Sequence, residues 1–426
     1  MPTLDNQGLT TSPKDPEAGI CSPKTVLSAS SHAATDTGPF SADEVAFYSA
    51  QVRACCASLG LHCIGFAEAG PVPEYAWFEA WLDAGHAADL AYLRRDAAPR
   101  ADVRKLCAAA RSVVVVALEY PFVVDETVPS GHGRLAAFAR GTDYHLVLKR
   151  KLQLLAQRLS AVLPPPFFWR ACVDTAPILE RAWAVRAGLG FIGKNTLLIF
   201  PGLGSFTVLG ELLLSVPLTP ASVHKPRCGS CVLCLTACPT QAFPKPFVLD
   251  ARRCISYWTI EQAGDIPLPI REAMGDRIFG CDLCQTVCPY NLRAADKTPG
   301  CLPLQSKPAF VSPPLAKLLR LGAAQYRKLV RQTALRRINR NSLLRNVAVA
   351  LGNVGTPDDL PALHEALFAE GPLVRRHVAW ALGMLARRFA AHQDAIAQSL
   401  LQAAAIETDA KTRTEICAAL VACGHA

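Results

Sequence analysis

The sequence predicts an α+β multidomain protein, on three observations. A β-branched run, RSVVVVALEYPF (111–122), lies among segments whose apolar residues recur at helical spacing. Two closely spaced cysteine motifs occupy the middle of the chain. Near the end, RNVAVALG (345–352) returns as RHVAWALG (376–383). The 426 residues, 51% of them hydrophobic, suffice for several domains and a sizeable core. The expected divisions are an extension over 1–40, an α/β domain over 41–225, a cysteine-rich domain over 226–300 and helical repeats over 301–426.

Residues 1–40 are rich in Ser, Thr, Pro, Asp and Ala without helical period, the composition of a disordered extension. They contain no arginine and no apolar signal core. SADEVAFYSAQVRACCASLG (41–60) reads as a helix, with Ser41 and Glu44 in capping-box spacing and Gly60 as its stop. The 111–122 run reads as a buried strand. DYHLVLKRKLQLLAQRLSAVL (143–163) reads as a helix and GSFTVLGELLLSVPL (204–218) as a second strand region. The longest uncharged apolar stretch, 195–210, is broken by Pro201 and glycines and is too short to span a bilayer. A cytoplasmic protein is expected, with no membrane association, in which 17 cysteines point to metal or redox chemistry rather than disulfides.

After a proline-rich bridge (298–314) the composition becomes Ala/Leu-rich. TEICAALVACG (414–424) resembles a third copy of the repeated motif. Stacked helical repeats of HEAT type account for this, each unit burying its face on the next. A plain amphipathic bundle is the alternative.

The cysteine motifs are Cys228-x2-Cys231-x2-Cys234-x3-Cys238-Pro239 and Cys281-x2-Cys284-x3-Cys288-Pro289, with Cys254 between them. The first is a bacterial ferredoxin run, whose fourth cysteine ligates the other cluster. By that rule Cys228, Cys231 and Cys234 take one [4Fe–4S] cluster and Cys238 crosses to the second. Cys281 and Cys284 join Cys238. Cys288 crosses back by symmetry, and Cys254 completes the second set. Eight thiols then serve two clusters in a ferredoxin-like domain. A zinc ribbon would use paired C-x2-C units and leave four of these cysteines surplus. The remaining cysteines, such as Cys55, Cys56 and Cys417, read as small buried hydrophobes. Two neighbouring clusters form an electron relay, so an acceptor is expected within 41–225.

That first domain lacks a G-x-G-x-x-G after a strand, which argues against a Rossmann dinucleotide site. Its informative stretch is ACVDTAPILERAWAVRAGLGFIGKNTLLI (171–199). Asp174, set among apolar residues, reads in two ways. It caps the helix that follows, or its carboxyl is raised by burial and donates a proton. Spacing alone favours the cap. GFIGKN (190–195) reads as a Gly-rich turn that lets backbone approach a cofactor.

Together VDTAPILERAWAVRAGLGFIGKNTLLI, the crossed cysteine motifs, CISYWTIE (254–261), FGCDLCQTVCPYN (279–291), ARGTDYH (139–145) and LLRNVAVALGN (343–353) resemble the epoxyqueuosine reductase family. The likeness runs from about residue 45 to the C-terminus. It implies an α/β cobalamin-binding domain beside the first cluster, and reduction of epoxyqueuosine in tRNA. It implies that Asp174 is the proton donor and that the eight cysteines above are the cluster ligands. Arg100, Arg140, Tyr144, His145, Lys194 and Asn195 lie in family-like segments lining the cofactor. KLCAAARSV (105–113) departs from the usual Pro-Gly form of its segment. A reductive dehalogenase shares the cofactor layout but has no need of a basic repeat, and an electron-transfer scaffold would need no cobalamin.

The net charge of +9 suits an anionic partner. From 297 to 357 there is no Asp or Glu, while Lys317, Arg320, Arg327, Lys328, Arg331, Arg336, Arg337, Arg340 and Arg345 form a one-sign run. Solvated helix faces usually mix signs, so tRNA contact is expected here, through Arg336, Arg337, Arg340 and Arg345. A monomer served by an external electron donor completes the expectation.

Overall fold

The computed structural model describes residues 40–124, 127–295 and 304–424. The expected 1–40 extension therefore lies, except for Phe40, outside the described residues, as does the start of the proline-rich bridge. Ser41–Ala426 forms one compact unit.

The first helix, α1 (Ala42–Ser58), starts where the sequence predicts. The Ser41 hydroxyl accepts from the Glu44 N–H at 3.2 Å, and the Glu44 carboxylate accepts from the Ser41 N–H at 2.7 Å. A four-stranded sheet follows, built from β1 (Cys63–Glu68), β2 (Ser112–Glu119), β3 (Trp169–Cys172) and β4 (Thr207–Leu214). Its order is β1-β2-β4-β3. The Val113–Val116 run occupies β2, with neighbours on both edges and no exposure at any of the four valines. This is why the run is apolar without alternation.

Every pairing in this sheet is antiparallel. The domain is thus α+β, not the α/β arrangement expected: β2 and β3 run the same way but are not neighbours, because β4 lies between them and pairs antiparallel with both. After β1 comes the helix α2 (Tyr75–Asp83), and later helices still cover both faces of the sheet. The helix α4 (Glu180–Arg186) packs Trp183 and Ala184 against Val113, Val115 and Leu213. On the other face lies α3 (Tyr144–Ser160), whose Leu152 reaches to Gly210 of β4.

A two-residue parallel pairing joins Arg134–Leu135 to Arg277–Phe279 and ties the first domain to the cysteine region. One hydrophobic core then runs from Leu135 through Ile255, Ile278 and Phe279 into the C-terminal helices. Those helices include α5 (Arg340–Val354), α6 (Pro372–Arg388) and α7 (Ala410–Ala422), the three copies of the repeated motif. The glycine ending each Ala-Leu-Gly has a packing reason. A Cβ on Gly352 would lie 2.4 Å from the Trp380 ring, and one on Gly383 would lie 3.1 Å from the Ala419 Cα. Consecutive helices approach that closely only where a side chain is missing.

Two cysteine expectations change. Cys56 is buried, but Cys55 is only partly so and Cys417 is exposed on α7. No helix among the described residues is long and apolar enough to cross a membrane.

Candidate active site and metal centres

Each cysteine motif wraps a single short helix, Leu233–Thr236 in one and Leu283–Thr286 in the other. Cys228, Cys231, Cys234 and Cys288 line one cavity of about 300 Å³, together with Lys194 and Tyr290. These are the four thiols that spacing assigns to the first cluster. Burial raises the Cys234 thiol, and its neighbours Cys228, Cys288 and Cys231 raise it further. In the second group burial pushes Cys281 up to about 12, with Cys254 contributing. Cys284 is raised in the same way, feeling Cys281, Cys254 and, across the gap between the groups, Cys234. Cys238 acts on Cys254.

Buried thiols resist ionisation unless a cation compensates them, and iron supplies that compensation. Among the described residues no three such groups converge closely enough to hold one metal ion. Four thiols spread around a cavity suit a cubane, in which each binds a different iron. The donor sets therefore fit two [4Fe–4S] clusters. Lys194 Nζ donates to the carbonyls of Gly229 (2.7 Å) and Cys231 (3.0 Å), so it braces the first cysteine loop. Asn195 is buried and donates to the Cys284 carbonyl at 3.1 Å, bracing the second.

In GFIGKN, a Cβ on Gly190 would meet the Ile199 carbonyl oxygen at 2.2 Å, and one on Gly193 would meet Ile199 and Asn195. These glycines let the small hairpin of Phe191–Ile192 with Leu198–Ile199 close. Arg100 and Arg140 are also buried. Arg100 donates to the Asp96 carbonyl (2.9 Å) and Arg140 to that of Leu135 (2.9 Å).

Tyr144, His145 and Asp174 do come together. Asp143 caps α3, accepting from the His145 N–H. The same carboxylate takes the imidazole Nδ1 at 2.6 Å, while Nε2 meets the Asp174 carboxylate at 2.9 Å. Tyr144 stacks on the imidazole, ring centres 4.1 Å apart. Burial alone would lower the His145 pKa. Hydrogen bonds and charge from Asp143 and Asp174 outweigh it and raise the imidazole to about 9. Asp174 shows the opposite balance. Burial raises its carboxyl, but hydrogen bonding and charge from His145, with the Tyr144 hydroxyl, bring it below its ordinary value.

The expected rise of the Asp174 carboxyl is thereby corrected: His145 and Tyr144 hold it below its ordinary value, and the adjoining imidazole is raised to about 9. Nor does Asp174 cap α4, whose N-cap is Leu179. Asp174 lies in the preceding loop with φ +48°, and its N–H donates to Glu180 Oε1 at 2.6 Å.

Sequence reasoning missed Asp143, Glu180 and Glu211. An Asp just before a helical run is a cap signal that could have found Asp143. A lone acid inside VLGELLL could have found Glu211, which is fully buried in β4 with neither oxygen partnered among the described residues. Burial raises it well above the carboxylate range, helped by Glu180 and Asp174.

The basic run divides. Lys317, Arg327, Lys328, Arg331 and Arg336 are exposed. Arg320 pairs with Glu365, Arg337 with Glu261 and Arg340 with Glu370. Arg345 is the correction: it is completely buried, and its guanidinium donates to the carbonyls of Gln262, Gly264 and Trp258. The α5 helix is enclosed along most of its length and presents no surface to RNA there.

Comparison with known proteins follows the same division. The family model described as "Epoxyqueuosine reductase QueG, DUF1730" matches residues 100–175. A 4Fe-4S double cluster binding domain matches 227–291, and HEAT repeats match 333–421. The epoxyqueuosine reductase of Pseudomonas aeruginosa is 38% identical over 333 residues, covering 76% of this chain and 91% of the relative. A solved epoxyqueuosine reductase with a tRNA-Tyr epoxyqueuosine-modified stem loop matches at TM-score 0.78 and 29% identity, over 88% of this chain and 98% of that one. The Bacillus subtilis enzyme, captured with its catalytic aspartate loop swung out of the active site, matches at TM-score 0.79 and 29% identity with the same coverage.

Proposed function

The chain belongs to the epoxyqueuosine reductase family and reduces epoxyqueuosine to queuosine in tRNA, and we propose how its own residues do so. The observation that carries the reading is an imidazole clamped between two carboxylates, in a chain that also gathers two sets of four thiols. Removing the epoxide oxygen to leave an alkene takes two electrons and two protons, with water as product. Cys228, Cys231, Cys234 and Cys288 hold one [4Fe–4S] cluster, and Cys238, Cys254, Cys281 and Cys284 the other. Electrons arrive from an external donor. Cobalamin, the family's cofactor, supplies a strongly reducing centre when bound. The donor chemistry beside it is suitable, because His145 and Asp174 are 30% and 50% exposed and can face a bound group.

The proton route belongs to the side chains. Asp143 fixes the imidazole and holds Nδ1, leaving the Nε2 proton directed at Asp174. As negative charge develops on the departing oxygen, His145 passes its Nε2 proton to the Asp174 carboxylate, which hands it to that oxygen. Asp174 thus remains the group that meets the substrate, while His145 is the store. Lys194 and Asn195 act on the cofactor side by holding the cysteine loops, and Tyr144 holds the imidazole plane.

We assign 41–225 to cobalamin and catalysis, 226–300 to the clusters and 301–426 to tRNA. The protein acts as a monomer in the cytoplasm. Phosphates of the anticodon arm meet the exposed cations Arg327, Lys328, Arg331 and Arg336, the last also 4.0 Å from Asp143, with Arg337 and Arg340 recruited only if their carboxylate partners release them. The decisive experiment is mass analysis of tRNA incubated with reduced, cobalamin-loaded protein and its Asp174→Asn variant. The wild type converts the epoxide. The variant keeps clusters and cobalamin but slows by about a hundredfold or more. Near-normal conversion by the variant removes Asp174 from the proton route.

A further inference from the structure

Asp174 does not hold its own place. Its φ of +48° lies where residues with a side chain rarely settle, and such a backbone persists only when its surroundings fix it. The loop around it is tight, with the Thr175 N–H donating to the Val173 carbonyl. His145 holds the side chain, and the backbone of the turn is held by the Asp174 N–H donating to Glu180 Oε1 at 2.6 Å. Glu180 opens α4, and α4 is anchored by the completely buried Trp183 and Ala184 against the sheet. The aspartate is on a loop, and its acceptor is on the scaffold.

Glu180 is an odd residue to find there by charge alone. It faces Asp174, with Glu211 behind it from β4, and Tyr144 and Cys172 also lie within its field. Arg181, His145 and the Asp174 N–H offset these groups. A carboxylate among acids has a reason to be present when it accepts a hydrogen bond that nothing else can accept. In the Bacillus subtilis relative a catalytic aspartate loop is found swung out of the active site.

We propose that Glu180 is a positioning residue that latches the Asp174 loop in its working place by accepting the Asp174 N–H. The inference rests on Asp174 meeting the substrate, as argued above. Glu180 touches neither substrate nor cofactor; it acts through the backbone it holds.

Full-length holoenzyme carrying Glu180→Ala or Glu180→Gln tests this, with cluster absorbance and a thermal melt confirming that each variant is folded. Glu180→Ala should lower kcat by about tenfold to a hundredfold, with little change in KM for tRNA. Amide hydrogen exchange over 172–179 should accelerate in the same variant. Glu180→Gln should restore both, because its amide oxygen accepts the same N–H. Wild-type kcat or unchanged exchange in Glu180→Ala overturns the latch. Equal damage in Glu180→Gln overturns it too, since charge and not the hydrogen bond would then matter. The exchange readout is independent of turnover: if Asp174→Asn proves fully active, the proton route fails while loop protection still reports on Glu180.

Discussion

His145 carries a proton that the sequence places nowhere in particular. Its two partners stand 2 and 29 residues away, and only the second comes from another element. The sign of the effect is definite. A histidine raised from 6.5 to about 9 is protonated through neutral pH and loses its proton as pH rises through about 9. Turnover by the wild type should therefore show a basic limb near pH 9, and His145→Gln should lack that limb and be slow throughout. A limb that survives in the variant assigns it to another group. The same clamp stabilises the fold fully below about pH 6.5, and that contribution fades as pH climbs through about 9. At this scale the cysteines were legible because ligand spacing is local and its rule is geometric. The state of Asp174 was not, because apolar neighbours in sequence gave no sign of an imidazole from α3.

Among the elements, α1, β2, α3 and β4 appear where periodicity and caps put them, within a few residues at their ends, while α4 starts at Glu180 without the Asp174 cap expected for it. Strand direction was beyond reach, since a buried apolar run reads alike in parallel and antiparallel sheets. The basic run shows a second limit. A count of charges ignores helical phase and partners, so Arg345 looked the same as Arg336 although one is enclosed and the other exposed. The expected consequence concerns the exposed members. Replacing Arg327, Lys328, Arg331 and Arg336 with glutamine should weaken tRNA binding and flatten the slope of log K against log salt by up to about 3. Replacing Arg345 should leave that slope unchanged. Binding measured across a salt series checks both.

On the scale of the whole molecule, the sequence drew a boundary near residue 300 that packing does not respect. Arg345 donates to the Gln262 and Trp258 carbonyls at 2.8 Å each, and to that of Gly264. Asn346 donates to the carbonyls of Thr259 and Ile278, both at 2.9 Å. Burial lowers the guanidinium to about 10, still far above neutral pH, so the arginine remains charged and its bonds strong. Arg345→Met would strand three carbonyls and should cost about 3 kcal/mol or more, seen as a lower melting temperature. Iron content should fall with it, because the Cys254 segment leads directly into the strapped stretch. Full iron content and an unchanged melt would show that the strap is dispensable.

The Arg345 strap also sets the terms on which this architecture could be re-engineered. A helical array that merely docked on its neighbour could be exchanged for another to redirect the chemistry to a different RNA. Here the graft would have to carry residues 258–264 along with it, and those residues lead out of the Cys254 ligand. The part we assign to the RNA and the part we assign to electrons are therefore bound to travel together.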